Sequence, residues 1–402
     1  MIDVAGLRAQ FPALREGAAH FDGPGGSQVP LAVGQAVADA LTSAVANRGR
    51  VTAAERRADG FVTGARAALG DLLGADPRGV VFGRSMTQLT YDVTRAMAKD
   101  WRPGDEIVVT RLDHDANVRP WIQAAEAAGV TVRWADFDPI STELTLEHIA
   151  AVLSERTRLV AVTAASNLLG TRPPVAGIAA LVHETGALFF VDGVHLTPHA
   201  PVDLTALGAD FFVCSMYKLL GPHCGVLAAS PDLLETLHPD KLAPATDAVP
   251  ERFEFGTLPY ELLAGCTATV DFIAGLSPRP QPGRRANVLA AMAAIEAHEQ
   301  ALAVRLEAEL AAMPELVIHS RAAERTPTLL LSVSGSPAPD VQAFLAERGV
   351  NAPAGSFYAL EPSRRLGLGD DGALRIGLAP YTNDDDVDRL LSGLSDFVEA
   401  RS

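Results

Sequence analysis

The chain has 402 residues, 48% of them apolar and 20% charged, with a formal net charge of −16. That is enough chain for one large domain and a smaller one, and too apolar for a disordered protein. The acidic balance argues against nucleic acid and anionic membrane as partners, so any anion site has to be built locally. Three cysteines, Cys214, Cys224 and Cys266, lack zinc-site spacing and make a poor disulfide framework. Reduced thiols in a cytoplasmic protein are expected. Residues 1–8 lack the basic-then-apolar pattern of a secretory signal. No apolar run approaches the ~20 residues of a membrane span.

Taken in chain order, short apolar runs from residue 79 to residue 229 alternate with helical patterns. Strands are predicted at 79–82, 106–110, 130–134, 159–163, 187–191, 211–214 and 225–228. The connections 88–99, 118–128 and 175–185 carry Ala, Leu and Ile at helical spacing. Strand and helix alternating in this way predict a mostly parallel sheet covered on both faces. A Pro-, Gly- and Arg-rich stretch at 276–285 marks a boundary. Beyond it the pattern predicts a long helix at 286–313, strands at 328–333 and 374–377, and helices at 339–348 and 384–399, an α+β unit.

Ligands on parallel sheets bind at the C-terminal strand ends, and two of these ends carry a single charge. The run 187–191 stops at Asp192, and the run from 211 leads through Ser215, Met216 and Tyr217 to Lys218. An amine and a carboxylate so placed are what pyridoxal 5'-phosphate (PLP) needs: a lysine for the aldehyde and an acid for the ring nitrogen. Taken alone, each has a bland reading, Lys218 as a solvated side chain and Asp192 as a turn or cap residue. Burial of Lys218 would favour its neutral amine.

Other strand ends add candidates. His195 could donate to a phenolate oxygen, or act only as a structural donor. His114, between Asp113 and Asp115, could stack on an aromatic cofactor, although the segment also reads as a capped helix start. Asn167 could bond a ring hydroxyl or simply belong to a turn. The stretch 84–88, with Met86 and Thr87, joins a strand to a helix and suits a phosphate, or an N-cap without ligand. Arg375 is a charge inside an apolar strand pattern and needs a carboxylate partner, from a substrate or from the protein.

The ordered motifs resemble the class V aminotransferase group of fold-type I PLP enzymes, in its cysteine desulfurase-like branch. The resemblance runs from His20-Phe21-Asp22-Gly23-Pro24-Gly25-Gly26 to the segment 375–381. It implies an α/β fold with a mostly parallel seven-stranded sheet in a large PLP-binding domain, 21–276, and a smaller α+β C-terminal domain, 284–402. The segment 1–20 would pack with the small domain. Lys218 is implied as the Schiff-base lysine, Asp192 as the pyridinium partner and His114 as the ring-stacking group, these three being catalytic. Asn167 would lie near the phenolate oxygen, with His195 and Tyr217 also at the cofactor. Thr87, Ser215 and the Met86 backbone would hold phosphate, and Thr257 would reach the phosphate of a neighbouring subunit. Arg375 would bind the substrate carboxylate. A homodimer with shared active sites is implied.

Departures from that family pattern bear on the reaction. Desulfurases usually have Gln where this chain has His195 and His where it has Tyr217; both replacements keep a donor. The loop carrying the persulfide-forming cysteine corresponds to 351–358, which contains no cysteine. Tyr358 stands at that position and is a candidate substrate contact. The expected activity is therefore on an L-amino acid, by β-elimination from cysteine or a cysteine S-conjugate without an enzyme persulfide. Transamination, epimerisation and desulfuration with another sulfur acceptor are the alternatives. A nicotinamide enzyme would need its glycine fingerprint between an early strand and a helix. The only such letters, 367–372, lie late and read as a turn. A PLP-fold scaffold without activity is disfavoured by the joint presence of Lys218, Asp192 and Arg375. The side chain selected by the site is expected to depend on the loops 23–28, 48–52 and 354–358.

Overall fold

The computed structural model describes residues 2–401. Its largest sheet has seven strands: β2 (Val80–Gly83), β3 (Glu106–Thr110), β4 (Thr131–Ala135), β5 (Thr157–Thr163), β6 (Leu188–Asp192), β7 (Phe211–Ser215) and β8 (Gly225–Ala229). Their order is β2-β8-β7-β6-β5-β3-β4. All neighbours are parallel except β8, which runs antiparallel to both β2 and β7. Every predicted strand is present, with ends displaced by at most two residues. These strands are legible because both faces are covered, which makes them continuous apolar runs. Two separate apolar clusters fill the two faces, one including Phe189, Val191 and Phe212, the other Trp121, Phe190 and Phe211.

Three helices pack together away from the predicted segments: Leu31–Thr42, Ala53–Leu73 and Tyr260–Gly275. Ala53–Leu73 starts at a Thr52/Glu55 capping box and stops at Gly74, whose φ of 66° is left-handed.

The C-terminal unit is built on the 28-residue helix Arg284–Ala311. It contains an antiparallel sheet of β9 (Leu316–Ile318), β10 (Thr328–Val333), β12 (Ala354–Gly355) and β13 (Ala373–Gly377), in the order β12-β13-β10-β9. The last helix, Asp384–Glu399, is capped by Asn383, with Asp384, Asp385 and Asp386 in its first turn, where the helix dipole favours acids. The letters 367–372 form a turn leading into β13, with Gly367, Gly369 and Gly372 all at positive φ.

The N-terminal segment ties the two units together. β1 (Ala19–His20) pairs in parallel with β11 (Val350–Asn351), and Asp22 bridges to Gly377. Phe21 lies in the C-terminal core, while Phe11 packs against Phe272 of the helix Tyr260–Gly275 and against Tyr381. Among the described residues no helix is long and apolar enough to cross a membrane.

Candidate active site

The C-terminal ends of the central strands converge on one pocket. Its lining includes Ser85, Met86, Thr87, His114, Thr163, Ala165, Asn167, Asp192, Val194, His195, Ser215, Tyr217 and Lys218. Most of the predicted site residues therefore meet in one place. Thr257 does not: it lies on an exposed stretch outside its own chain's pocket. Arg375 and Tyr358 stand at the pocket's edge and are reached through their neighbours.

Lys218 follows β7 in a short 3-10 turn and is buried. Desolvation pushes its amine down to about 8; the Arg375 guanidinium adds to this and Asp192 opposes it. Asp192 ends β6. Burial raises its carboxyl to about 6, against the lowering effect of the Val194 N–H, which donates to Oδ1 at 2.9 Å, and of Lys218. Close packing behind Asp192 needs Gly193, where a Cβ would stand 1.8 Å from Phe212 Cζ.

His114 caps the short turn Asp115–Asn117, so the capping alternative describes its backbone setting. The Ala116 N–H donates to its Nδ1 at 3.0 Å. Burial holds the imidazole neutral, down to about 3, and both Lys218 and Arg375 add to that effect. With Nδ1 accepting, the proton of the neutral ring sits on Nε2. Behind it, Asp113 is buried against Thr110 and Asn117, and desolvation raises its carboxyl to about 8.

His195 contacts Thr328 Oγ1 and Thr326 Oγ1 through Nε2, both at 3.1 Å, while its Nδ1 is buried with no partner. Asn167 donates through Nδ2 to the Phe357 carbonyl at 3.0 Å, and its Oδ1 is likewise unpartnered. Tyr217 stacks on His223 with centroids 4.8 Å apart and planes 7° from parallel.

Ser85 caps the 13-residue helix Met86–Ala98 by accepting from the Gln88 N–H. Its first residues face the pocket because β8 comes close: a Cβ on Gly225 would stand 2.2 Å from the Ser85 carbonyl carbon. Amides at a helix start make an anion cradle.

Of the two partners expected for Arg375, a substrate carboxylate or a protein one, the protein one is absent: among the described residues it has no ion pair. Its Nη1 donates to the Asn167 carbonyl at 3.1 Å, its Nε is unpartnered, and its Cζ lies 3.6 Å from the centroid of the Phe357 ring. The aromatic face substitutes for a counter-ion. Burial still lowers its pKa to about 9, with Asp22 opposing.

Sequence reasoning missed Thr163, Ala165 and Val194, and it covered Ser85 and Phe357 only as parts of the stretches 84–88 and 354–358, without roles of their own. Thr163 ends β5 and Ala165 follows it, so both were findable from the strand-end rule; Phe357 carried no such signal. Of the loops expected to select side chains, 23–28 reaches the site, since a Cβ on Gly25 would meet Arg375 Nη2 at 3.4 Å. The loop 48–52 does not line its own chain's pocket; Arg48 pairs there with Asp59 and Glu251.

A buried amine, a buried carboxylate, unpartnered donor and acceptor atoms and an anion cradle fit a group with an aldehyde, a basic ring nitrogen, a ring hydroxyl and a phosphate. That combination, on a mostly parallel seven-stranded sheet, defines a fold-type I PLP enzyme. Residues 19–390 match the aminotransferase class-V family, and the chain belongs to that family of PLP-dependent enzymes, with a cysteine desulfurase-like fold. It is 31% identical to an uncharacterized protein of Mycobacterium tuberculosis, covering 98% of both chains. It is 32% identical to a probable cysteine desulfurase of Pseudomonas aeruginosa, again covering 98% of both. The crystal structure of the cysteine desulfurase CsdA from Escherichia coli is similar, with a TM-score of 0.88, 27% identity, and coverage of 100% of this chain and 99% of that one.

Proposed function

We propose that this PLP enzyme acts on an L-amino acid by β-elimination, as a C–S lyase on cysteine or a cysteine S-conjugate, without an enzyme persulfide. The observation that carries the reading is the placement of thiols. Cys214, Cys224 and Cys266 are all free and buried, and none lines the pocket that holds Lys218 and Asp192. Burial pushes the Cys214 thiol well up, and contact with Cys224 together with burial does the same for Cys266. A sulfur acceptor has to be an accessible thiolate; elimination needs none, because sulfur leaves on the substrate fragment.

When bound, PLP supplies an electron sink for the bond broken at Cα. Arg375, with no counter-ion among the described residues, would take the substrate carboxylate. Asp192 would hold a proton on the ring nitrogen. Lys218, with its amine pushed toward neutrality, takes the α-proton onto Nζ. His114, neutral with its proton on Nε2, would stack on the ring and offer a hydrogen bond to the leaving sulfur, whose proton would come from Lys218 Nζ. Asn167 and His195, whose Oδ1 and Nδ1 have no partner, would hold the ring hydroxyl, with Tyr217 beside the cofactor. Ser215, Thr87 and the Met86 N–H would hold the phosphate. The balance is RS–CH2–CH(NH2)–COOH plus water giving RSH, pyruvate and ammonia.

The protein works as a cytoplasmic homodimer in this reading, with Thr257 completing the partner subunit's phosphate site. The exposed apolar side chains Leu31, Leu41, Val51 and Phe255 support a covered face. Incubation with cysteine S-conjugates is expected to release pyruvate and thiol. Keto-acid-dependent amino transfer without pyruvate would sink the lyase reading in favour of an aminotransferase.

A further inference from the structure

Phe357 and Tyr358 are consecutive residues with φ of 54° and 59°, and only two other non-glycine residues among those described, Thr142 and Leu220, have positive φ. Left-handed backbone at two adjoining aromatic residues is strained and persists only where the surroundings impose it. Several of the imposing contacts come from the site and the residues next to it. Asn167 Nδ2 donates to the Phe357 carbonyl at 3.0 Å, and the Asp115 N–H donates to the Tyr358 carbonyl at 2.7 Å. The Phe357 ring lies against Arg375 and the Tyr358 ring against His114, with centroids 5.6 Å apart and planes at 33°.

The dipeptide thus runs along the rim between the carboxylate-binding guanidinium and the imidazole next to the pocket. Phe357 is inward-facing and half-buried, whereas Tyr358 is 77% exposed. A large aromatic side chain held out in water by a strained backbone is not explained by the fold's own packing, since no core needs it there. An amino acid with its carboxylate on Arg375 would lie close to this rim, because Arg375 touches Phe357 and His114 touches Tyr358.

Resting on the C–S lyase reading, we propose that Tyr358 is a specificity-determining residue, which selects substrates whose sulfur carries a bulky aromatic or apolar group. The ring gives such a group a face to stack on and shields it from water. A free thiol or an S-methyl group is too small to cover it. The substrate class is therefore S-aryl and S-aralkyl cysteine conjugates ahead of free cysteine.

The test compares S-benzyl-L-cysteine with S-methyl-L-cysteine in the cofactor-loaded enzyme. The wild type is expected to favour the benzyl conjugate in kcat/KM by about tenfold, as one good aromatic contact allows. That ratio should fall about tenfold in Tyr358→Ala and be kept in Tyr358→Phe. An unchanged ratio in Tyr358→Ala overturns the proposal. Binding of each amino acid is also titrated through the shift of the cofactor's visible absorption. If no conjugate yields pyruvate, the lyase reading fails, and the selectivity proposal is then judged on binding alone. It stands if Tyr358→Ala weakens benzyl binding selectively, and falls if both ligands bind as they do to the wild type.

Discussion

The Asn167 carbonyl accepts a hydrogen bond from Arg375 Nη1 at 3.1 Å, so a residue following β5 of the large sheet holds the guanidinium carried by β13 of the small one. No carboxylate shares that guanidinium among the described residues, and the Phe357 ring covers its other side. Arg375→Lys should therefore keep the charge but lose the planar fork and its aromatic support. We expect kcat/KM for amino-acid substrates to fall about a hundredfold, on the scale of a lost charge-assisted bidentate contact. The visible cofactor band should be retained. Steady-state kinetics with parallel absorbance spectra check this.

Lys218→Ala should abolish the visible band of the bound cofactor and lower turnover by at least about a thousandfold, the upper range for a positioned proton-transfer group. Because burial holds the free amine at about 8, the rate at which stripped protein takes up added PLP should rise between pH 7 and pH 9 as the neutral amine forms. Stopped-flow absorbance at several pH values measures it. A flat profile would show that the amine is not the titrating nucleophile.

Removing all three thiols separates elimination from desulfuration. The variant Cys214→Ala, Cys224→Ala, Cys266→Ala should turn over S-conjugates within about twofold of wild type. Each change removes a buried atom and should lower stability by roughly 1 kcal/mol. Loss of turnover in a variant that remains folded by circular dichroism would place a thiol in the reaction.

Asp113 makes stability depend on pH in a stated direction. An unfolded aspartate ionises near 3.8, whereas burial keeps Asp113 protonated in the fold up to about 8. Between those values the unfolded chain binds fewer protons, so stability falls as pH rises through the window. The thermal midpoint should drop from pH 5 to pH 8 in the wild type and drop less in Asp113→Asn, compared in the same cofactor state.

Gly225→Ala tests the anion cradle. The added Cβ meets the Ser85–Met86 backbone and must displace the start of the helix Met86–Ala98. Retention of PLP on gel filtration should fall, and added inorganic phosphate should protect the variant from heat less than it protects the wild type.

The parallel strands were readable because burial on both faces leaves unbroken apolar runs, and Lys218 and Asp192 stood out as charges ending two of them. Helices Leu31–Thr42, Ala53–Leu73 and Tyr260–Gly275 were not read; they pack on one another, and what they bury depends on partners distant in sequence. The environment of Arg375 was only half legible for a related reason. A charge in a strand pattern signals that something must face it, but the facing ring of Phe357 arrives through left-handed backbone that residue types do not announce. His195 was visible as a candidate, whereas its contacts with Thr326 and Thr328 come from the far unit and were not.

The pairing of β1 with β11 and of Asp22 with Gly377 has a consequence for the ribosome-bound chain. Lys218, Asp192 and the helix Met86–Ala98 emerge while the strand carrying Arg375 is still untranslated, and domains tend to fold as they emerge. The opening segment, residues 19–22, must wait for strands made near the end of synthesis. A chain that stops before β13 has the pocket's lining residues and Tyr358 but lacks Arg375, the group assigned to the substrate carboxylate. Carboxylate recognition is therefore completed only once β13 has been made and paired with β10.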